Sequence, residues 1–425
     1  MTDYKALAAT QKEYTVSMRR YFHQHPELSD CEDATCAKIC EELAAMEIPY
    51  VNVPRGGVFA FLGNESKGRT VLLRADVDAL PGKESPVNGG GQPKVVVSEN
   101  DTASHTCGHD CHIAMLLGAA KALKSMEDQI PGRLILMFER GEESTGNIRY
   151  LLKYAFEQNW KIDSSFGLHV FPYSNTGTVA ISTGHAMAGI MAFRVTLMGK
   201  TAHGSSPVEG INPIDCFVAL YNTIQSLRMR FAGPFDPMTG SICQINSGFA
   251  RNIIPPDLTF SGTFRVFNHE DAMKVKEELA HAIETTAELY HCKANYAIGH
   301  PSPSLYNDPE CAAFTKEILR DAFGADAVLD SKPLMVSESH SLTSRIWPGT
   351  YGFVGIRNEA KGMTALNHHE CFEPDEDALA LGVASHLAYA LEFLKQGPDT
   401  SDKIYQGTLK DLFAAYAPHY LAVLE

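Results

Sequence analysis

Hydrophobic positions in the first 50 residues recur at helical spacing in two amphipathic stretches, broken at HPELSD. Apolar runs of strand length follow at Val58–Leu62 and Thr70–Ala75. A helical pattern runs from about His112 to Met126, and GRLILMF (Gly132–Phe138) reads as a short apolar strand. A further helix is expected near Asn147–Gln158 and a strand at Phe166–Val170. Strands alternating with helices predict an α/β sheet, largely parallel.

The texture changes near Met187. Met191, Phe193, Val195 and Leu197 alternate with Ala192, Arg194 and Thr196, which predicts a strand with one wet face. A helix (Pro213–Arg230), a strand (Ser241–Ser247), a second alternating strand (Leu258–Phe267), a helix (Glu270–Leu289) and a strand (Lys293–Ile298) follow. That order, β-α-β-β-α-β, is the ferredoxin-like pattern. Residues 187–300 are therefore expected to form a small α+β domain inserted into a larger one made of 1–186 and 301–425. The α/β texture then resumes, with a strand within SRIWPGTYGFVGI and a long final core helix over Asp375–Lys395.

Composition narrows the partners. A formal net charge of −15 argues against nucleic acid or an anionic membrane surface as the main partner. It leaves room for an anionic small substrate, because charge in a cleft can oppose the global sign. The N-terminus, MTDYKALAATQKEY, lacks an apolar core of signal-peptide length, and no run of about 18 apolar residues predicts a membrane span. The ten cysteines are scattered and do not form a disulfide framework. The cytoplasm is the expected compartment.

Five segments carry candidate chemistry. In HTCGHDCH, Cys107 and His109 lie two apart around Gly108, so a thiolate and an imidazole could bind one metal or bridge two. A capped helix start is the alternative. In FERGEES, Glu142 and Glu143 follow a strand; one could ligate a metal while the other holds a water and takes its proton. A solvated acidic loop would look the same. In LRADVDALP, Asp76 and Asp78 end a strand and point the same way, as ligand or as support for a ligand histidine. His169 ends the short strand of GLHV, and His368 and His369 precede the last core helix. An α/β sheet brings such strand ends to one rim. Together they are a parts list for metal-assisted hydrolysis.

The segments RRYFHQHPEL, LRADVDALP, HTCGHDCHIAMLLGAA, GEES, GLHV, GKTAHGSSP, RNIIP and GTFR occur in this order across nearly the whole chain. In these the chain resembles the co-catalytic metallopeptidase superfamily of aminoacylase and carboxypeptidase type, in the branch of N-acyl-amino-acid amidohydrolases, hippurate hydrolases and auxin-conjugate hydrolases. The resemblance implies a metallopeptidase catalytic domain with a mixed, largely parallel sheet, plus an inserted lid or dimerisation domain. It implies two divalent ions, zinc or manganese with cobalt or nickel as options, held by Cys107, His109, Glu143, His169 and His368. Glu142 would be the general base and Asp78 the support of a ligand histidine; Asp76 is not used as a ligand in this branch. His203 would stabilise the tetrahedral intermediate, and Asn252 and Arg265 would hold the substrate's carboxylate.

The chain departs from the family pattern at several points. Cys111 replaces a glycine and puts an extra thiol near the metals. SEDF reads SESH, so Ser339 replaces an acid. The proline after the last ligand histidine is missing, which makes His369 a rival to His368, and FERGEES lacks the usual proline and glycine-rich run. The expected activity is cleavage of an N-acyl amino acid (hippurate-like, N-acetyl or aryl-acyl) to free amino acid and carboxylic acid, by a possible homodimer. A dipeptidase or aminopeptidase on the same site, and an inactive metal-binding dimer, are the alternatives.

Overall fold

The computed structural model describes residues 2–144, 146–233, 235 and 237–425. Its large sheet has eight strands, in the spatial order Tyr50–Val53, Gly57–Gly63, Arg133–Glu139, Thr70–Asp76, Ser164–Asn175, Gly349–Arg357, Val179–Ile181 and Val328–Asp330. The four central strands run parallel, and antiparallel pairs appear only toward the edges. Alternation within the apolar runs divides them between two faces. Val71, Leu73, Leu134, Leu136 and Phe138 join a core with the helices His109–Lys124 and Leu379–Gln396. Leu72, Ile135 and Met137 join a second core with Ile148–Glu157 and the C-terminal helix Leu409–Tyr416. Burial on both faces is why the central strands read as unbroken apolar runs.

The second sheet has four antiparallel strands, in the order Met238–Ser247, Asp257–Val266, Gly189–Met198 and Lys293–Ile298. Met191, Phe193, Val195 and Leu197 point into a separate hydrophobic cluster under the helices Pro213–Phe231 and His269–Leu289, while Ala192 and Arg194 are exposed. The β-α-β-β-α-β order is the one the alternation predicts.

Differences from the sequence expectation lie mainly in short or unpatterned pieces. The N-terminal region has three helices, Tyr4–Ala9, Lys12–Gln24 and Asp33–Ala45. The strands Tyr50–Val53, Val179–Ile181 and Val328–Asp330 are too short to show alternation. The last core helix is long and apolar enough to cross a membrane by length and composition, over Glu376–Gln396, yet 78% of that window is buried inside the protein. Its apolarity serves the core.

Candidate metal centre

Cys107 and His109 flank a turn that only glycine fits well. Gly108 has φ of 91°, and a Cβ there would lie 2.4 Å from the Val170 side chain. The turn delivers His109 to the first position of its helix, where the ring is fully buried. Nδ1 of His109 lies 3.1 Å from Asp78 Oδ1. The carboxylate accepts, so Nδ1 carries the proton and Nε2 presents its lone pair. Asp78 Oδ2 accepts from Ser29 Oγ at 2.6 Å and from the Glu143 N–H at 2.9 Å. One carboxylate thereby aims two of the expected ligands.

His169 is aimed in the same way. Its Nδ1 donates to the Val170 carbonyl at 2.7 Å, leaving Nε2 3.6 Å from Cys107 Sγ. His368 Nε2 lies 3.3 Å from Cys107 Sγ and 3.5 Å from Glu143 Oε1. His368 reaches that position through a left-handed backbone, φ 65°, with its N–H donating to the Thr106 carbonyl at 2.8 Å. A non-glycine residue there costs on the order of 1–2 kcal/mol, strain of the kind that clusters at functional sites. Nδ1 of its rival His369 accepts the Cys371 N–H at 3.0 Å, and among the described residues His369 is in none of the candidate metal groups.

The potential ligand atoms of Cys107, His109 and His169 lie within 4.8 Å of one another, as do those of Cys107, Glu143 and His368. His109 Nε2 and Glu143 Oε1 are buried and have no hydrogen-bond partner. Two triads with one thiol in common, their thiolate, imidazole and carboxylate ligand atoms converging, are a donor set that would fit two divalent cations. Burial pushes the Cys107 thiol well above its ordinary range, and a bound cation would reverse that.

Glu142 also comes within 4.8 Å of the ligand atoms of His109 and Glu143, but it is held differently. Its Oε1 accepts the Ser339 N–H at 3.0 Å. Burial and the like charges of Glu338 and Glu143 push its carboxyl well above the usual range, and cations held by the neighbouring Glu143 would draw it down again, as for Cys107. Beneath it lies a buried network whose members sit in quoted segments but were given no such role by the sequence. Arg74 donates to Glu139, Asp76 and Glu338 at 2.8, 2.7 and 2.8 Å, and to Ser339 Oγ at 2.9 Å. Tyr351 donates to Glu338 at 2.7 Å. The one available signal was an arginine inside an otherwise apolar strand. Ser339 bonds to Glu139 through its hydroxyl as well as to Glu142 through its backbone. Asp76 is occupied by Arg74 and by Nδ1 of His112, whose Nε2 accepts the Val170 N–H at 2.9 Å.

The remaining expected site residues are not in this cluster. His203 is exposed, with Nδ1 2.7 Å from Ser205 Oγ, on a short ribbon paired with Ile253–Ile254. Asn252 is exposed beside it, and its carbonyl accepts the Gly204 N–H at 2.8 Å. Arg265 is half-buried at the end of its strand and donates to Ser337 Oγ at 2.8 Å. Among the described residues no carboxylate pairs with it, and burial lowers its pKa. Cys111 corrects an expectation: its side chain packs in the hydrophobic core, and none of the candidate metal groups among the described residues includes it. The helix periodicity turns it away from His109.

Residues 72–392 match the family described as Peptidase family M20/M25/M40. The chain belongs to that family. It is 33% identical to thermostable carboxypeptidase 2 of Saccharolobus solfataricus over 390 residues, covering 90% of this chain and 96% of the relative. It is 32% identical to IAA-amino acid hydrolase ILR1-like 4 of Arabidopsis thaliana over 387 residues, covering 90% and 86%. It is also 32% identical to N-acetyl-L-cysteine deacetylase of Bacillus subtilis over 383 residues, covering 90% and 88%. Among solved structures, the YXEP protein of Bacillus subtilis, described as a dinuclear metal-binding peptidase from the M20 family, superposes with a TM-score of 0.75 at 26% identity, covering 91% of this chain and 99% of that one. The M20 chain described here is thus a hydrolase acting on amide bonds, with the mixed α/β fold of its family.

Proposed function

We propose that this M20 hydrolase cleaves the amide bond of small N-acyl amino acids, releasing the free amino acid and a carboxylic acid. The observation that carries the reading is the convergence of the ligand atoms of Cys107, His109, Glu143, His169 and His368 in two groups, beside a Glu142 carboxylate fixed by the Ser339 N–H. Cys107, His109, Glu143, His169 and His368 would hold two divalent ions, zinc or manganese, which supply Lewis acidity toward the scissile carbonyl and a water of lowered pKa. Glu142 takes the attacking water's proton and passes it to the leaving amine. The Ser339 N–H fixes the carboxylate for both transfers.

Arg265 supports the substrate class. A half-buried guanidinium that, among the described residues, has only a serine hydroxyl for a partner suits the α-carboxylate of the amino-acid half. Asn252 assists there, and His203 meets the developing oxyanion when the 187–300 segment closes as a lid. Three relatives act, by their names, on amide-linked amino acids: a carboxypeptidase, an auxin-amino acid hydrolase and an N-acetylcysteine deacetylase. The exposed edge strand Met238–Ser247 suits pairing with a second copy, giving a homodimer.

A panel of N-acetyl, N-benzoyl and aryl-acyl amino acids, their carboxamides and free dipeptides, assayed with each metal, tests the reading. Release of free amino acid from N-acyl substrates, lost when the substrate carboxylate is amidated, is the expected result. Preference for dipeptides with a free amine would overturn it.

A further inference from the structure

A cavity of about 540 Å³ lies where three parts of the chain meet. His185 and Arg345 come from the neighbourhood of the large sheet, Phe267 and His269 from the junction between the second sheet and its second helix, and Tyr416 from the C-terminal helix. None of these side chains belongs to the metal cluster.

Arg345 dominates the lining. Its guanidinium lies 5.9 Å from the Tyr306 ring centre and 5.7 Å from that of Tyr416. Among the described residues it makes one long hydrogen bond, from Nη2 to Ser304 Oγ at 3.4 Å, and Nε is buried with no partner. No carboxylate among the described residues pairs with it, although Glu270 also lines the cavity. His269, its ring 4.8 Å from Tyr416, bonds the Ala415 carbonyl, and burial lowers its pKa, so its partnerless Nδ1 is a lone pair and the donors toward the cavity are those of Arg345. A guanidinium is a planar fork that matches carboxylate and phosphate oxygens, and a buried donor left without an acceptor costs about 1–3 kcal/mol. Two aromatic faces hold this fork in place while its hydrogen-bonding capacity goes largely unused.

We propose that this cavity is a binding site for a small oxyanion, the carboxylate or phosphate group of a metabolite-sized ligand, with Arg345 as its principal contact. Tyr416 lies beyond residues 72–392, so this wall comes from outside the stretch that matches the family. The site also touches two elements that lead to the metal centre. Arg345 is on the helix His340–Ile346, which starts directly after Ser339, the residue that holds Glu142. Phe267 and His269 directly follow the strand that ends beside Arg265. An oxyanion bound to Arg345 therefore braces the second sheet and the C-terminal helix against the segment that supports Glu142.

The test is calorimetric titration of inorganic phosphate, and separately of succinate, into the metal-loaded enzyme, with Arg345→Gln and Arg345→Lys alongside. Both variants should keep the metal content and the circular dichroism spectrum of the parent. Arg345→Gln should bind the preferred anion roughly tenfold or more weakly, and Arg345→Lys, which keeps the charge and loses the fork, should fall between. The tighter of the two anions identifies the group. Anion binding at the metal centre is common to all three proteins and is recognised by competition with substrate. Equal affinities for both anions in the parent and Arg345→Gln, or no saturable binding beyond the competitive one, would overturn the proposal.

Discussion

Asp78 aims two candidate ligands at once, so Asp78→Asn is the most informative change outside the cluster. The carboxylate accepts from His109 Nδ1 at 3.1 Å and from the Glu143 N–H at 2.9 Å. An asparagine offers one acceptor oxygen and one donor NH₂, so one of these contacts becomes donor against donor. Losing an orienting carboxylate behind a metal-binding histidine costs roughly 10–100-fold in metal affinity, or about 1.4–2.7 kcal/mol. The unpaired donor adds to that, which places the expected loss near the upper end, about 100-fold. Competition against a chelator of known affinity reads the metal Kd, and turnover at saturating metal reads the chemistry separately. Turnover should fall less than affinity, because Glu142 and its Ser339 contact are untouched. Ser29→Ala, which removes a hydroxyl donor from the same carboxylate at 2.6 Å, is the control and should change metal affinity by no more than about threefold. Unchanged metal affinity in Asp78→Asn would refute the reasoning.

Cys107→Ser should lower metal occupancy by elemental analysis, since it removes the atom common to both triads; full metal content with full activity would sink its assignment. His203→Ala should slow turnover by roughly 10²–10³-fold with metal content unchanged, as loss of an oxyanion donor does. Mixing it with Glu142→Gln would restore partial activity if the histidine acts across a dimer, and no recovery after proven subunit exchange would rule that out. Glu84→Gln tests the buried pairing beneath the 82–101 loop. Burial alone would raise Glu84, but His23, Lys94 and the Ser98 N–H hold it at about 2. A carboxyl whose folded pKa is depressed stabilises the fold above its unfolded value and loses that contribution as the pH falls. The variant should therefore be less stable by on the order of 2 kcal/mol at pH 7, with the gap closing from about pH 4.5 toward 2; a gap independent of pH in urea melts would contradict it.

The parts of this molecule that the sequence made legible are those where one physical rule dominates. Strands buried on both faces read as apolar runs, the second sheet's wet face read as alternation, and strand ends carrying Asp, Glu, Cys and His pointed to one rim. Arg74 and Glu338 were not legible because their meaning is mutual: they are buried charges that pair with each other across 264 positions of sequence. Cys111 was misplaced because proximity in sequence to His109 says little once the helix turns it into the core. His368 could be separated from His369 only by the left-handed backbone that turns one ring inward. The C-terminal helix carries too weak a pattern to reveal that it covers the sheet's second face and walls a cavity.

The division of labour between the paired glutamates is the centre of the account. Glu142 bonds to Ser339 and stands beside the cluster, whereas Glu143 is aimed into it by Asp78. Metal content and turnover, measured together on Glu142→Gln and Glu143→Gln, test this most directly. The account predicts that Glu142→Gln keeps both metal ions and loses about 2–4 orders of magnitude in rate, while Glu143→Gln loses metal. Metal loss in Glu142→Gln with full occupancy in Glu143→Gln would contradict it.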